Sequence, residues 1–269
     1  MKEQYADGVK IIKRKRKFKV FGILMIALSC ILVVCSLSSI LSRTLNLENF
    51  SLVSFILGQS NNKIEKHTLY AVTLGEFEDK KQCQDVALGS SVAGASGYVW
   101  KNKDKSFYAI GSIYLSEDDA KKVAEGLNSS VYTVDVKQIE FKEITFDITK
   151  KDKDTISLCV SALSYLNDLF NNFSTTSMQL EKGEISYVAS ASFINAYKSE
   201  IKTYETKFDL LLKENSDETL KKLLAGFIAI ETSLDSTVNT LLSNFSPVSD
   251  IKYGLADFVF HYHALILSI

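Results

Sequence analysis

Apolar letters fall along this chain in three different patterns. Val20 to Leu41 (VFGILMIALSCILVVCSLSSIL) is a run of 22 residues without a charge. Between about 67 and 140, short β-rich runs alternate with stretches of helical spacing. From 152 to the end, apolar positions step by three and four with few breaks. The first pattern predicts a membrane span, the second an α+β module and the third a set of packed helices.

The uncharged run would reach about 33 Å as a helix at ~1.5 Å per residue, enough for a hydrocarbon core of ~30 Å. KRKRKFK stands immediately before it and a lone Arg43 just after. By the positive-inside rule the tail 1–19 is expected in the cytoplasm, with everything from about 43 onward across the membrane. A cleaved signal peptide is the rival, but 22 residues exceed the usual apolar region of ~7–15 and no A-x-A site follows. A lipoprotein signal fits less well, because Ala27-Leu28-Ser29-Cys30 and Leu32-Val33-Val34-Cys35 each lack part of the Leu-small-small-Cys pattern. A retained anchor at 20–41 is therefore expected, with residues 42–66 as a juxtamembrane linker.

The middle of the chain repeats itself weakly. Tyr70-Ala71-Val72 recurs as Tyr108-Ala109-Ile110, Glu78-Asp79 as Glu117-Asp118, and Ser90-Ser91-Val92 as Ser129-Ser130-Val131. In each copy a strand (Leu69–Leu74; Phe107–Tyr114) leads into a helix. Cys83, Val86 and Ala87 share a face in the first helix, and Ala120, Val123, Ala124 and Leu127 in the second. Ser116, with Asp119 three residues on, has the form of an N-cap. A further strand follows each helix, at Tyr98–Trp100 and at Val131–Val136. The order β-α-β-β-α-β predicts a ferredoxin-like module over 67–140, with helices on one face of a four-stranded antiparallel sheet and the other face open.

Here the chain resembles the SPOR (sporulation-related) domain family. Tyr70-Ala71-Val72-Thr73-Leu74-Gly75-Glu76-Phe77 is similar to the family's opening strand with its Gly-x-Phe turn. Tyr108-Ala109-Ile110-Gly111-Ser112-Ile113-Tyr114 with Glu117-Asp118-Asp119-Ala120 is similar to its third strand and acidic-Ala helix start. The likeness covers about 70 residues. It implies binding to peptidoglycan, above all glycan strands stripped of stem peptides, during cell division or sporulation. The chain departs from the family pattern at Thr73, where a Gln is common, and at Glu76, where a small residue is common. It departs again at Tyr108 or Ala109, where an Arg often follows the aromatic. These changes remove amide and cationic donors that could hold sugar hydroxyls.

A sugar platform needs exposed aromatic faces flanked by polar side chains. Trp100, the only Trp, lies near a strand end beside Tyr98, Phe107 and Tyr108. The glycan-binding candidates are Trp100, Thr73, Glu76, Phe107 and Tyr108. Strand alternation allows only one of Phe107 and Tyr108 to face the open side, and large apolar side chains are more often core than platform.

Residues 152–269 read as four helices. Their stripes run through Ile156–Phe173, Tyr187–Leu211, Leu223–Leu241 and Ile251–Ile269, with breaks at Ser174–Glu184, Asn215-Ser216-Asp217 and around Pro247. Short connections favour antiparallel neighbours, so an all-α antiparallel helical bundle is expected.

Charge sharpens this picture. A net charge of −1 hides eight cations against Glu3 and Asp7 in residues 1–19, hence +6 there and −7 beyond. An acidic body argues against nucleic acid as a partner. Four Cys are too few for a disulfide scaffold, and Cys83 and Cys159 are expected as buried free thiols. Catalytic chemistry is sparse. The sequence has no Gly-x-Ser-x-Gly, no phosphate loop and no zinc-amidase His-Glu motif. His261 and His263 stand two apart on a helix and diverge, so no metal and no cofactor is expected. Glu143, Glu184, Glu231 and Asp257 show no spacing that selects a glycosidase pair.

The expectation is a non-catalytic, single-pass cell-membrane protein, N-terminus inside and C-terminal domains extracytoplasmic, that binds peptidoglycan glycan strands and holds protein partners through its bundle. The alternative is a structural or assembly protein whose module and bundle bind other proteins rather than glycan. A cell-wall hydrolase of unrecognised type is a third class.

Overall fold

A computed structural model describes residues 62–102, 104–127, 132–147, 153–214, 216–243 and 246–269. They belong to one compact unit, Ser60–Ile269. The expected anchor at 20–41, the basic tail and most of the linker lie outside the described residues. Among the described residues no helix is long and apolar enough to cross a membrane.

The protein is α+β, with six helices and two antiparallel sheets among the described residues. Four strands make the larger sheet: β2 (His67–Phe77), β3 (Tyr98–Lys101), β4 (Phe107–Tyr114) and β5 (Asp135–Phe141). Their order is β3-β4-β2-β5, every neighbour antiparallel. Tyr70 faces Tyr114 on β4 and Gln138 on β5, so β2 is central. The two connections that leave a sheet neighbour unpaired carry helices, α1 (Lys80–Ser91) and α2 (Glu117–Leu127). Asp79 Oδ1 accepts the Lys81 amide at 3.0 Å to cap α1, and Ser116 Oγ accepts the Asp119 amide at 3.3 Å to cap α2. Leu74, Ala109, Cys83 and Ala87 close the small core between the sheet and α1. Gly97, at φ +69, turns the chain into β3; a Cβ there would sit 2.9 Å from that of Ser91.

The fourth strand lies further along than the expected Val131–Val136. The side chains that bury are Ile139 and Phe141, opposite Leu69 and His67, and they draw the pairing to 135–141. A second sheet joins β1 (Lys63–Ile64) to β6 (Ile144–Thr145). Asn62 Nδ2 donates to the Phe146 carbonyl beside it at 2.9 Å. The stretch read as linker thus contributes a strand to the compact unit. A two-residue strand is too short to show alternation.

Helices α3 (Lys153–Glu181), α4 (Tyr187–Glu214), α5 (Glu218–Ser243) and α6 (Pro247–Ser268) follow. Rising numbers on one meet falling numbers on the next. Lys198 meets Asp235 and Tyr204 meets Phe227; Thr237 lies against Gly254, and Gly226 against Leu265. Helix α3 continues through Ser174 to Glu181, where a break was expected. Its Thr175 and Thr176 hydroxyls donate to carbonyls four residues back, and Thr176, Ser177 and Leu180 are buried.

The main correction concerns the sheet's second face. It is not open. One continuous core runs from Leu69, Tyr108, Ile110, Ile139 and Phe141 of the sheet into Phe258, Phe260 and Tyr262 of α6 and on through α3, α4 and α5. The reason is legible in α6, where Leu255, Ala256, Phe258, Val259, Phe260 and Tyr262 are all buried. Apart from a narrow stripe through Tyr253, Asp257 and His261 the helix is apolar, and so wide an apolar surface needs cover from more than one side. The other helices cover part of it, and the sheet covers the rest.

Candidate functional site

The five glycan-binding candidates do not form one surface. Thr73 is buried in β2, and its Oγ1 donates to the Asp135 carbonyl at 3.2 Å. Tyr108 is buried too, at 4% exposure. Phe107 pairs with Phe77 and belongs to the small core on the α1 side, opposite the side to which Tyr108 contributes. Glu76 is exposed, with its backbone opposite Tyr108.

Trp100 is half-buried, and its ring is engaged. It stacks on Phe260 of α6 at 4.9 Å and 18°, and on Tyr108 at 5.5 Å and 30°. Lys137 Nζ stands 5.4 Å from the Tyr108 ring, where a cation over an aromatic face is favourable. The Asp135 carboxylate at 2.8 Å from the same Lys137 is held below its ordinary range by that hydrogen bond. Aromatic platforms bind sugars through free ring faces, and here protein rings stack on the Trp100 ring.

Sequence reasoning missed the partners that do this. Tyr98 also stacks on Phe260, at 5.3 Å and 10°. Further along, His67 stacks on Phe141 at 4.3 Å and 13°, Phe141 packs on Tyr262 at 4.9 Å, and His263 meets the Phe141 ring edge-on at 5.3 Å. His263 Nε2 also lies 3.1 Å from the Glu140 carbonyl, tying α6 to β5. The available signal was the run Phe258-Val-Phe-His-Tyr-His263, which has no polar face wide enough for a surface helix. Burial lowers the His67 pKa, because the imidazolium would lose water without gaining a carboxylate. Burial likewise raises the Tyr98 and Tyr262 phenols and pushes the Cys83 thiol up to about 11. None of these directions activates a base or a nucleophile near neutral pH.

Two depressions flank this interface. A groove of about 1120 Å³ opens where the start of β2, strand β3 and the end of β5 meet α6; Lys66, Lys101 and Lys142 stand among the stacked rings lining it. A second cleft, about 530 Å³, lies where α1 and β3 face α5 and α6, and its walls carry many hydroxyls.

Three of the carboxylates singled out in the sequence stand beside basic side chains. Glu143 binds Lys63 at 2.8 Å, and Glu231 lies 3.8 Å from Lys202, which also holds the buried Glu205 at 3.0 Å. His261 stands 3.6 Å from Asp257, on the same helix as His263 but away from it. Among the described residues no three His, Cys, Asp or Glu side chains gather as a metal site, and Cys83 and Cys159 are buried and not joined in a disulfide.

The chain matches no protein-family model, no curated protein and no solved structure.

Proposed function

We propose that the chain is a non-catalytic assembly protein of the bacterial cell membrane that acts in division or sporulation by binding other proteins rather than glycan. In this reading 20–41 is a single anchor with the N-terminus inside, and the compact unit lies outside the membrane. The module over 67–140 is then a ferredoxin-like, SPOR-like fold, and 152–269 an antiparallel helical bundle. The strand order β3-β4-β2-β5, with helices in both crossovers, supports the first assignment. The opposed contacts of successive helices support the second.

One observation carries the choice of proteins over glycan. The sheet face that would offer an aromatic platform lies under α6, with Trp100 and Tyr98 both stacked on Phe260. A sugar ring would have to displace that helix and expose a buried core, at a cost of several kcal/mol. What remains for partners is the outer surface, where Val92, Leu88, Leu210, Leu242 and Val188 are each more than half exposed.

Sedimentation tests the proposal. Full-length protein in detergent, mixed with peptidoglycan before and after stem-peptide removal, is expected to stay in the supernatant in both cases. Retention that rises after stem-peptide removal and falls in Trp100→Ala overturns it in favour of glycan binding. Release of sugar or peptide fragments overturns the non-catalytic assignment.

A further inference from the structure

The four-stranded sheet has two edges, β5 and β3, and they are finished differently. In an antiparallel ladder alternate residues turn their N–H and C=O groups toward the neighbouring strand, and the rest turn them away. On β5 the Thr73 hydroxyl donates to the Asp135 carbonyl from β2, which sets Asp135, Lys137 and Ile139 inward and Val136, Gln138 and Glu140 outward. Much of that outward row is claimed. The Asp135 carboxylate accepts the Val136 amide at 2.8 Å, and His263 Nε2 lies 3.1 Å from the Glu140 carbonyl.

The row on β3 is not. The Asn102 amide donates to the Ser106 carbonyl at 2.9 Å, at the start of the turn into β4. The Tyr98 amide donates to Ser96 Oγ, which itself donates to the Ile110 carbonyl of β4. Tyr98, Trp100 and Asn102 therefore face β4, and Val99 and Lys101 present their N–H and C=O groups outward. β3 has a single sheet neighbour, and among the described residues nothing outside the sheet bonds these four groups. Unpaired strand edges are templates for another strand.

Space for one lies alongside. The larger groove is lined by residues 98–102 and the smaller cleft by 96–99, so the two depressions meet at Tyr98 and Val99. An added strand sits ~4.8 Å from its neighbour and draws on alternating donors and acceptors, which an extended polypeptide supplies. A second copy of this chain would bring its own α1 and α6 with its β3; a lone extended segment brings neither. Charge narrows the choice. Lys66, Lys101 and Lys142 line the groove, and of its two carboxylates Glu143 is bound to Lys63 at 2.8 Å, which leaves Glu140. We propose that β3 is a docking edge for an extended, acidic segment of another protein, which joins the sheet as a fifth strand. This rests on the protein-binding reading above and names the kind of partner.

The probe is a fluorescently labelled heptapeptide, TVEVTVE, added to full-length protein in detergent and followed by anisotropy. Saturable binding is expected. N-methylation of one alternate set of peptide amides should weaken it at least tenfold, and of the other set far less, because one row of an added strand faces β3. Lys101→Pro removes an outward amide without breaking a ladder bond, and should also weaken binding at least tenfold. Lys101→Gln keeps the amide and should cost less. The methylated peptides act on the parent protein, so they decide the matter even where Lys101→Pro fails to fold. Absence of saturable binding at millimolar peptide overturns the proposal. So does equal loss with both methylated sets, or with both Lys101 variants, which would assign binding to side chains and charge. A peptide-free dimer that Lys101→Pro dissociates overturns it in favour of a second copy. Peptide binding bears on this edge alone, whereas sedimentation with peptidoglycan decides between proteins and glycan.

Discussion

Trp100 of the third strand and Phe260 of the last helix stack at 4.9 Å with their planes 18° apart. They are 160 residues apart in sequence, and their contact joins the α+β part of the chain to its helical part. Because Trp100 is the only Trp, the protein's tryptophan emission reports on this ring and its surroundings.

Phe260 is 8% exposed and supports both Tyr98 and Trp100. Phe260→Ala should cost about 3–5 kcal/mol, the usual range for a buried Phe. Thermal unfolding is expected to show the loss, together with a red-shifted Trp100 emission in the folded protein. An unshifted spectrum at unchanged stability would mean that α6 does not cover the sheet.

His67 should make stability depend on pH. Its folded-state pKa is lowered by burial, so below the unfolded value of ~6.5 the unfolded chain binds the proton more readily. Its contribution is therefore fully present above that pH and is lost as pH falls. Melting temperatures at pH 7.5 and 5.5 should drop toward acid. In His67→Phe, which keeps a ring on Phe141 but cannot titrate, the drop should shrink. An identical drop in the variant would assign the effect to other groups.

Two helix glycines should respond differently to the same change. A Cβ on Gly254 would fall inside the contact radius of Thr237 Oγ1 and 2.8 Å from Thr237 Cβ, on a β-branched side chain that cannot swing away. Gly254→Ala is expected to destabilise by about 1–3 kcal/mol. At Gly226 the nearest atom is Leu265 Cδ1 at 2.6 Å, the end of a flexible side chain, and Ala gains up to ~1 kcal/mol of helix propensity. Gly226→Ala should stay within about 1 kcal/mol of the parent in urea unfolding. Equal losses at the two positions would contradict the close approach of α5 and α6 at Thr237.

The longer elements were legible because each has a period. The strands at 98–101 and 107–114, the two module helices and the four long helices follow from alternation, from three-and-four spacing and from caps such as Ser116. The fourth strand was misplaced because Val131–Val136 alternates as well as the true strand does, and only the partner side chains Leu69 and His67 decide between registers. The candidate site was misread for a related reason. Trp100, Tyr108 and Thr73 do lie on neighbouring strands, but whether a sheet face meets water depends on what folds over it. That information sat about 150 residues downstream, in a helix whose apolar surface is too wide for a surface helix.

The roof of the sheet is made well after the strands it covers. Strands drawn from the first part of the compact unit keep one greasy side uncovered until α6 has been synthesised, so folding of the sheet cannot be completed segment by segment as synthesis proceeds. A stop codon anywhere before Phe258 would release a product whose sheet lacks its lid, sticky toward its own copies and open to proteases.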